Sequence, residues 1–155
     1  MSTPFFVLFG LLFLCASAGF WQYGKSEIAR AYILPTLVAG LLLIIIGTGL
    51  FFNNRNRLAT FPTAYGEDPA VFVTAELDRT AATLQEYQTV VFTIIPLLIA
   101  GFAVGIVLVA SPAWRAGFIT AIAMLVVLLL VDGTAHGRMA AYQEQLRMVE
   151  EVPVD

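Results

Sequence analysis

Four long apolar runs constrain the fold of this chain more than any other feature. They are Pro4–Tyr23, Ala31–Phe52, Val90–Ala110 and Trp114–Val131. At 1.5 Å per residue, a helix of about 20 apolar residues crosses the roughly 30 Å hydrocarbon layer of a bilayer. Each run is close to that length. The sequence therefore predicts an all-α integral membrane protein in which four transmembrane helices form a single domain over residues 1–155.

The composition agrees with a membrane protein and narrows the choice of partners. Of the 155 residues, 59% are hydrophobic and only 12% are charged, whereas soluble domains carry about 25% charged residues. The net charge of −3 argues against binding to nucleic acid, which needs a concentrated basic face. We expect the partners to be the lipid bilayer and either further copies of the chain or other membrane subunits.

Residue types that support catalysis or metal binding are sparse. The single cysteine, Cys15, lies inside the first apolar run, so the chain can form neither an internal disulfide nor a cluster of thiolate ligands. No nucleophile–base arrangement, phosphate-binding loop or set of metal ligands is visible in the sequence. We therefore predict no enzymatic activity, no cofactor and no metal site.

The third and fourth runs continue into more polar sequence at one end. Asp68 is suited to cap a helix that starts at Pro69, and this amphipathic helix, about 69–89, leads into the third run. The segment Asn53–Asp68 before it is rich in turn formers and is predicted to be a loop. The fourth run leads into a helical extension of about 132–150. The two extensions are predicted to pair as an antiparallel cytoplasmic stalk.

The register of this hairpin predicts ion pairs along the stalk. Counting outward from the short connection between runs three and four, Arg138 comes level with Glu86. On the same count, Arg147 comes near Glu76 and Asp78. Exposed pairs of this kind contribute only about 0–1 kcal/mol each, so we expect them to act mainly on register.

Small residues predict where helices pack closely. Gly101 and Gly105 form a GxxxG pair in the third run, and Gly117 and Ala121 form a related pair in the fourth. Such residues let two helix backbones approach each other in lipid. The sequence leaves open whether this interface lies within the bundle or between subunits.

Asp132 and His136 are the most distinctive polar residues. They follow the fourth run directly and are four residues apart, so they lie on one face of a helix. An ionisable pair at this depth is a candidate proton relay or ion mouth. The alternative is that both residues simply lie among the lipid headgroups at the end of the span.

The basic residues predict the orientation in the membrane. On the side of the termini, five basic residues flank the runs: Arg55, Arg57, Arg79, Arg138 and Arg147. On the other side there are three: Lys25, Arg30 and Arg115. By the positive-inside rule, both termini are predicted to be cytoplasmic. The membrane is predicted to be an inner (plasma) membrane.

Taken together, these features favour a polytopic interaction or accessory protein. Small-residue helix faces and the cytoplasmic hairpin would anchor or assemble a membrane complex, or mediate self-association. The alternative prediction is a small oligomeric ion channel or proton-coupled transporter that uses Asp132 and His136.

Overall fold

The computed structural model describes residues 3–151, so residues 1–2 and 152–155 of the predicted domain lie outside the described part. Within it the chain is almost entirely helical. The helices are α1 (Thr3–Tyr23), α2 (Glu27–Ala31), α3 (Ile33–Glu67), α4 (Pro69–Glu86), a π-helical segment (Tyr87–Ile94), α5 (Ile95–Leu108) and α6 (Pro112–Glu151). The all-helical prediction is confirmed.

Four continuous helical rods are long and apolar enough to cross a membrane. They are Thr3–Tyr23, Glu27–Pro62, Pro69–Leu108 and Pro112–Met148. Large apolar side chains cover much of their outer surface; Leu97 and Val107, for example, are 72% and 78% exposed. A surface of this kind suits contact with lipid rather than with water.

A very close crossing joins α1 to α3. A Cβ added to Gly40 would lie 2.8 Å from the carbonyl oxygen of Gly10, and one added to Gly10 would lie 2.6 Å from Cγ1 of Ile44. The two backbones therefore touch at a point where neither glycine leaves room for a side chain. Further along the same pair, the Ser17 hydroxyl donates a hydrogen bond to the Ile33 carbonyl at 2.8 Å.

The second pair of rods is the predicted hairpin. The rod of α4, the π-helical segment and α5 runs antiparallel to α6 and is joined to it by residues 109–111. Phe118 of α6 stacks on Phe102 with 5.6 Å between the ring centroids. It also occupies the space beside Gly105, where an added Cβ would lie 2.9 Å from its ring.

A small apolar core ties the two pairs together. Phe6 of α1 and Leu43 of α3 are almost completely buried, and they cluster with Val127 and Val131 of α6. This core lies close to the end of the fourth apolar run. It therefore sets the distance between α1, α3 and α6 where the polar sequence begins.

The predicted loop Asn53–Asp68 is wrong, because α3 continues as a helix to Glu67. The chain has neither Gly nor Pro between Asn53 and Phe61, and α3 accommodates Pro62 within the helix. Contacts with α4 stabilise the added turns: the Phe72 ring meets those of Phe61 and Tyr65 at 5.4 and 5.7 Å. These contacts outweigh the turn preference of the asparagines.

Asp68 is the sharp turn between α3 and α4. Its carboxylate accepts hydrogen bonds from the backbone N–H groups of Ala70 and Val71, each at 3.1 Å, and Pro69 occupies the first turn. The predicted helix start is confirmed. Three helices rather than two therefore form the polar end: residues 53–67 of α3, 69–86 of α4 and 132–151 of α6. We call this part the three-helix extension.

A π-helical segment connects α4 to α5. It ends just before Pro96, which has no N–H and whose ring would collide with a carbonyl four residues earlier in a regular α-helix. The backbone N–H of Ile95 instead bonds the carbonyl of Val90, five residues earlier. The wider turn lets the rod pass Pro96 without a break.

Candidate functional site

A cleft of about 500 Å³ opens at the base of the three-helix extension. Its walls come from the start of α1, the middle of α3, the end of α4 and the middle of α6. Phe6 and Leu50 line its apolar side, and Asp132 lines it directly beyond the fourth apolar run. We call this cavity the basal cleft.

The outer part of the basal cleft is built around one buried carboxylate. Glu76 of α4 is only 7% exposed. Its Oε1 accepts a hydrogen bond from Nη2 of Arg57 at 3.1 Å, and its Oε2 accepts one from Nη2 of Arg79 at 2.7 Å. Because Arg57 belongs to α3, the carboxylate links α3 to α4. The guanidinium of Arg57 also lies 5.3 Å from the centre of the Phe61 ring, within the range of a cation–π contact.

This cluster changes the acidity of two groups that lie well outside the apolar runs. Burial alone would raise the pKa of Glu76, but the hydrogen bond and charge of Arg79, together with Arg57, bring it below its ordinary value. The pKa of Tyr142 on α6 is raised, first by burial and then by the negative charge of Glu76. Glu76 is therefore a carboxylate held in its charged form.

The structure places the predicted stalk residues differently from the simple register. Glu76 contacts Arg57 and Arg79 rather than Arg147. Glu86 and Arg138 both line the basal cleft. Among the side chains that the structure describes, which exclude those of residues 63–64, 67 and 149–151, the ion pairs shorter than 4 Å are those made by Glu76. The predicted pairs of Glu86 with Arg138 and of Arg147 with Asp78 are not formed.

Asp132 and His136 point to different surroundings. Asp132 lines the basal cleft, whereas the His136 ring meets Tyr87 and Phe92 edge-on at 5.9 and 5.2 Å. Tyr87 and Phe92 are five residues apart, which in an α-helix would separate them by about 140° around the axis. Their rings would then not both face His136. The π-helical turn brings both onto one side. No hydrogen bond joins Asp132 to His136 in the described part of the chain.

The predicted small-residue pairs also divide. Gly105 packs against Phe118 inside the hairpin, whereas a Cβ added to Gly101 or Gly117 would meet nothing within 4 Å. Gly117 and Ala121 line a shallow apolar groove of about 330 Å³ between α3 and α6. Gly105 therefore packs within the chain, whereas an added Cβ at Gly101 or Gly117 would point into open space.

Sequence reasoning missed the contribution of α3 to the cleft. Arg57, Asn53 and Asn54 line it, but all three fell in the segment predicted to be a loop. The four-residue spacing of Arg57 and Phe61, which places both on one helical face, was the available signal. Gly10 was also missed, since a single glycine in an apolar run gives no pattern.

Comparisons with family models, curated proteins and solved structures gave no match to this chain. Its function must therefore be argued from the geometry of the site.

Proposed function

We propose that this chain is a multi-pass membrane interaction protein. Its three-helix extension and the open glycines of its third and fourth rods would assemble a membrane complex or copies of the chain itself. The observation that carries the proposal is the tie between Arg57 of α3 and Glu76 of α4. This ion pair links the polar ends of α3 and α4, so that they do not move independently. A rigid surface loses less entropy when a partner binds.

The proposed location is an inner (plasma) membrane, with both termini and the extension on the cytoplasmic side. Its support is the excess of basic residues at this end of the rods. Thr3 lines the same cleft as Tyr142 of α6, so the start of α1 and the extension lie at one end of the bundle. This arrangement fits an even number of crossings.

The open glycines give a direct test of assembly. An added Cβ at Gly101 or Gly117 meets nothing within 4 Å, so the described chain does not obstruct the start of a new side chain at either position. We expect Gly101→Leu or Gly117→Leu to leave the chain folded and to reduce the mass of the complex recovered in mild detergent. Native mass measurement after cross-linking in membranes provides the readout.

Gly105→Leu is the matched control, since that glycine packs against Phe118 within the chain. It should lower thermal stability whether or not a partner is present. Unchanged complexes in both Gly101→Leu and Gly117→Leu would contradict an interface at these two glycines.

A second candidate function is proton-coupled transport or conduction, favoured by the position of Asp132 on the basal cleft. On this proposal Asp132 exchanges protons with the cytoplasmic side, while His136 acts only through its contacts with the π-helical segment. Liposomes containing the purified chain should then show a proton leak, and Asp132→Asn should abolish it. Asp78→Asn, a control at an exposed position, should leave the leak unchanged. A leak equal to that of empty liposomes would exclude this function.

A further inference from the structure

The basal cleft holds charged side chains that make no ion pair with any side chain in the described part of the protein. Three arginines line it, Arg57, Arg79 and Arg138, and so do the carboxylates Glu86 and Asp132. Glu76 binds Arg57 and Arg79. Among the described side chains, which leave out those of residues 63–64, 67 and 149–151, no ion pair shorter than 4 Å involves the other three groups. With respect to the side chains that the structure describes, the cleft therefore contains one cation, Arg138, and two carboxylates, Glu86 and Asp132, that form no ion pair.

Glu86 at the end of α4 and Arg138 on α6 line the cleft from two different helices at a similar height. The rod carrying Glu86 and α6 are antiparallel, and Tyr87, the next residue after Glu86, contacts the ring of His136. Arg138 follows His136 by two residues. Both side chains line the same cavity, and no ion pair joins them within 4 Å, so a ligand in the cavity can contact both the acid and the base.

The balance of charge indicates what kind of ligand fits. The three arginines are matched in number by Glu76, Glu86 and Asp132, so the formal charge around the cleft is zero. A polyanion would approach the carboxylates of Glu86 and Asp132, and a simple cation would approach Arg138. A zwitterion satisfies both kinds of group, because a guanidinium pairs well with phosphate oxygens and a carboxylate accepts hydrogen bonds from an ammonium.

The position and size of the cleft point to a headgroup. Its volume of about 500 Å³ lies within the range of about 300–1,000 Å³ usual for small-molecule sites. Its apolar side, with Phe6 and Leu50, adjoins the buried core, and Asp132 marks the end of the fourth apolar run. A lipid headgroup would lie at this depth if the rods cross a bilayer as proposed above.

We propose that the basal cleft binds a zwitterion carrying a phosphodiester and a primary ammonium, the chemistry of an ethanolamine phospholipid headgroup. The phosphodiester lies against Arg138 and the side-chain amides of Asn53 and Asn54. The ammonium lies against Glu86 and Asp132. The lipid form of this ligand rests on membrane insertion, whereas recognition of the free headgroup does not.

The experiment compares lipids that differ only in the headgroup. The full chain in a neutral maltoside detergent is titrated with short-chain phosphatidylethanolamine, phosphatidylcholine or phosphatidylglycerol, and bound lipid is counted by native mass spectrometry. We expect about tenfold tighter binding of the ethanolamine lipid, because its ammonium donates charge-assisted hydrogen bonds to the carboxylates. The choline headgroup has no N–H to donate, and the glycerol headgroup has no positive charge.

Two variants separate the two ends of the ligand. Glu86→Gln should remove most of the preference for ethanolamine over choline. Arg138→Gln should weaken the binding of both lipids by about tenfold, because both carry the phosphodiester. The matched controls Glu144→Gln and Arg147→Gln lie on α6 outside the cleft and should leave binding unchanged. Thermal melting of each variant checks that it is folded.

Free glycerophosphoethanolamine, which needs no bilayer, distinguishes the source of the ligand. If it displaces the lipid in a manner that depends on Glu86, the site recognises the headgroup alone. If only the lipid binds, still with dependence on Glu86, the site belongs to a bilayer lipid. Equal binding of the ethanolamine and choline lipids by the unaltered chain would overturn the proposal, as would a preference for phosphatidylglycerol. These results do not depend on whether the chain assembles with a partner.

Discussion

Glu76 is the residue whose surroundings differ most from what its sequence position suggests. It belongs to a polar helix, yet it is buried and accepts hydrogen bonds from two arginines. Removing its charge leaves two guanidinium groups close together without their shared partner. Hydrogen bonds to charged groups contribute about 1.5–3 kcal/mol, and we expect Glu76→Gln to lower the free energy of unfolding by about that amount. Thermal or denaturant unfolding in detergent measures it, with exposed Glu144→Gln as the control.

The same carboxylate predicts a pH dependence. The folded pKa of Glu76 lies below its ordinary value of 4.5. Its ion pairs therefore stabilise the fold fully above that ordinary value, and this contribution is lost as the pH falls through the lower folded pKa. The difference in melting temperature between the unaltered chain and Glu76→Gln should be constant near neutral pH and shrink below about pH 4. A difference that grows on acidification would contradict the assigned direction.

The sequence predicted that Glu76 forms an ion pair, but with Arg147 rather than with Arg57 and Arg79. Its pairing with the three-residue neighbour Arg79 follows helical spacing. Arg57, however, belongs to a segment whose asparagines indicated a loop, so no register could place it opposite Glu76. Asp132 and His136 were found by their contrast with the apolar run. Their separation into cleft and aromatic contacts depends on the phase of a π-helical turn that the sequence does not reveal.

At the scale of elements, the crossing of α1 and α3 depends on backbone contact. An added Cβ at Gly40 would lie 2.8 Å from a carbonyl oxygen of α1, which cannot move aside without shifting the helix. We expect Gly40→Ala to destabilise the fold by about 1–3 kcal/mol. Gly49→Ala on the same helix meets nothing within 4 Å and should be neutral or slightly stabilising, as alanine favours a helix. Similar melting temperatures for the two variants would contradict this crossing.

The π-helical segment makes a second prediction at this scale. Pro96 has no N–H for a regular helix, so Pro96→Ala should let the segment relax toward α-helical geometry and turn Phe92 away from His136. Because His136 is the only histidine, its ring protons give a single set of NMR signals. We expect Pro96→Ala and Phe92→Leu to shift these signals in the same direction, through loss of the ring current. A shift for Phe92→Leu alone would mean that the π-helical turn does not need Pro96.

At the scale of the whole molecule, the four apolar runs predicted the rods well because run length and span length are directly related. What they did not predict is how far the rods extend. The limits of the apolar runs show where lipid contact can end, not where a helix ends. For α3, aromatic contacts with α4 add several turns, so the polar end is a bundle of three helices instead of a hairpin of two.

The arrangement of the rods makes a final prediction about topology. Thr3 and Tyr142 line one cleft, so α1 begins and α6 ends at the extension, whereas Gln22 lies near the opposite end of α1. In a background with Cys15→Ala, single Thr60→Cys and Gln145→Cys variants should react with an impermeant maleimide only in inside-out vesicles. Gln22→Cys should react only in right-side-out vesicles. Labelling of Gln22→Cys and Gln145→Cys from the same side would mean that α1 does not cross the bilayer. Reversal of all three labelling patterns would mean that the orientation predicted by the positive-inside rule is wrong.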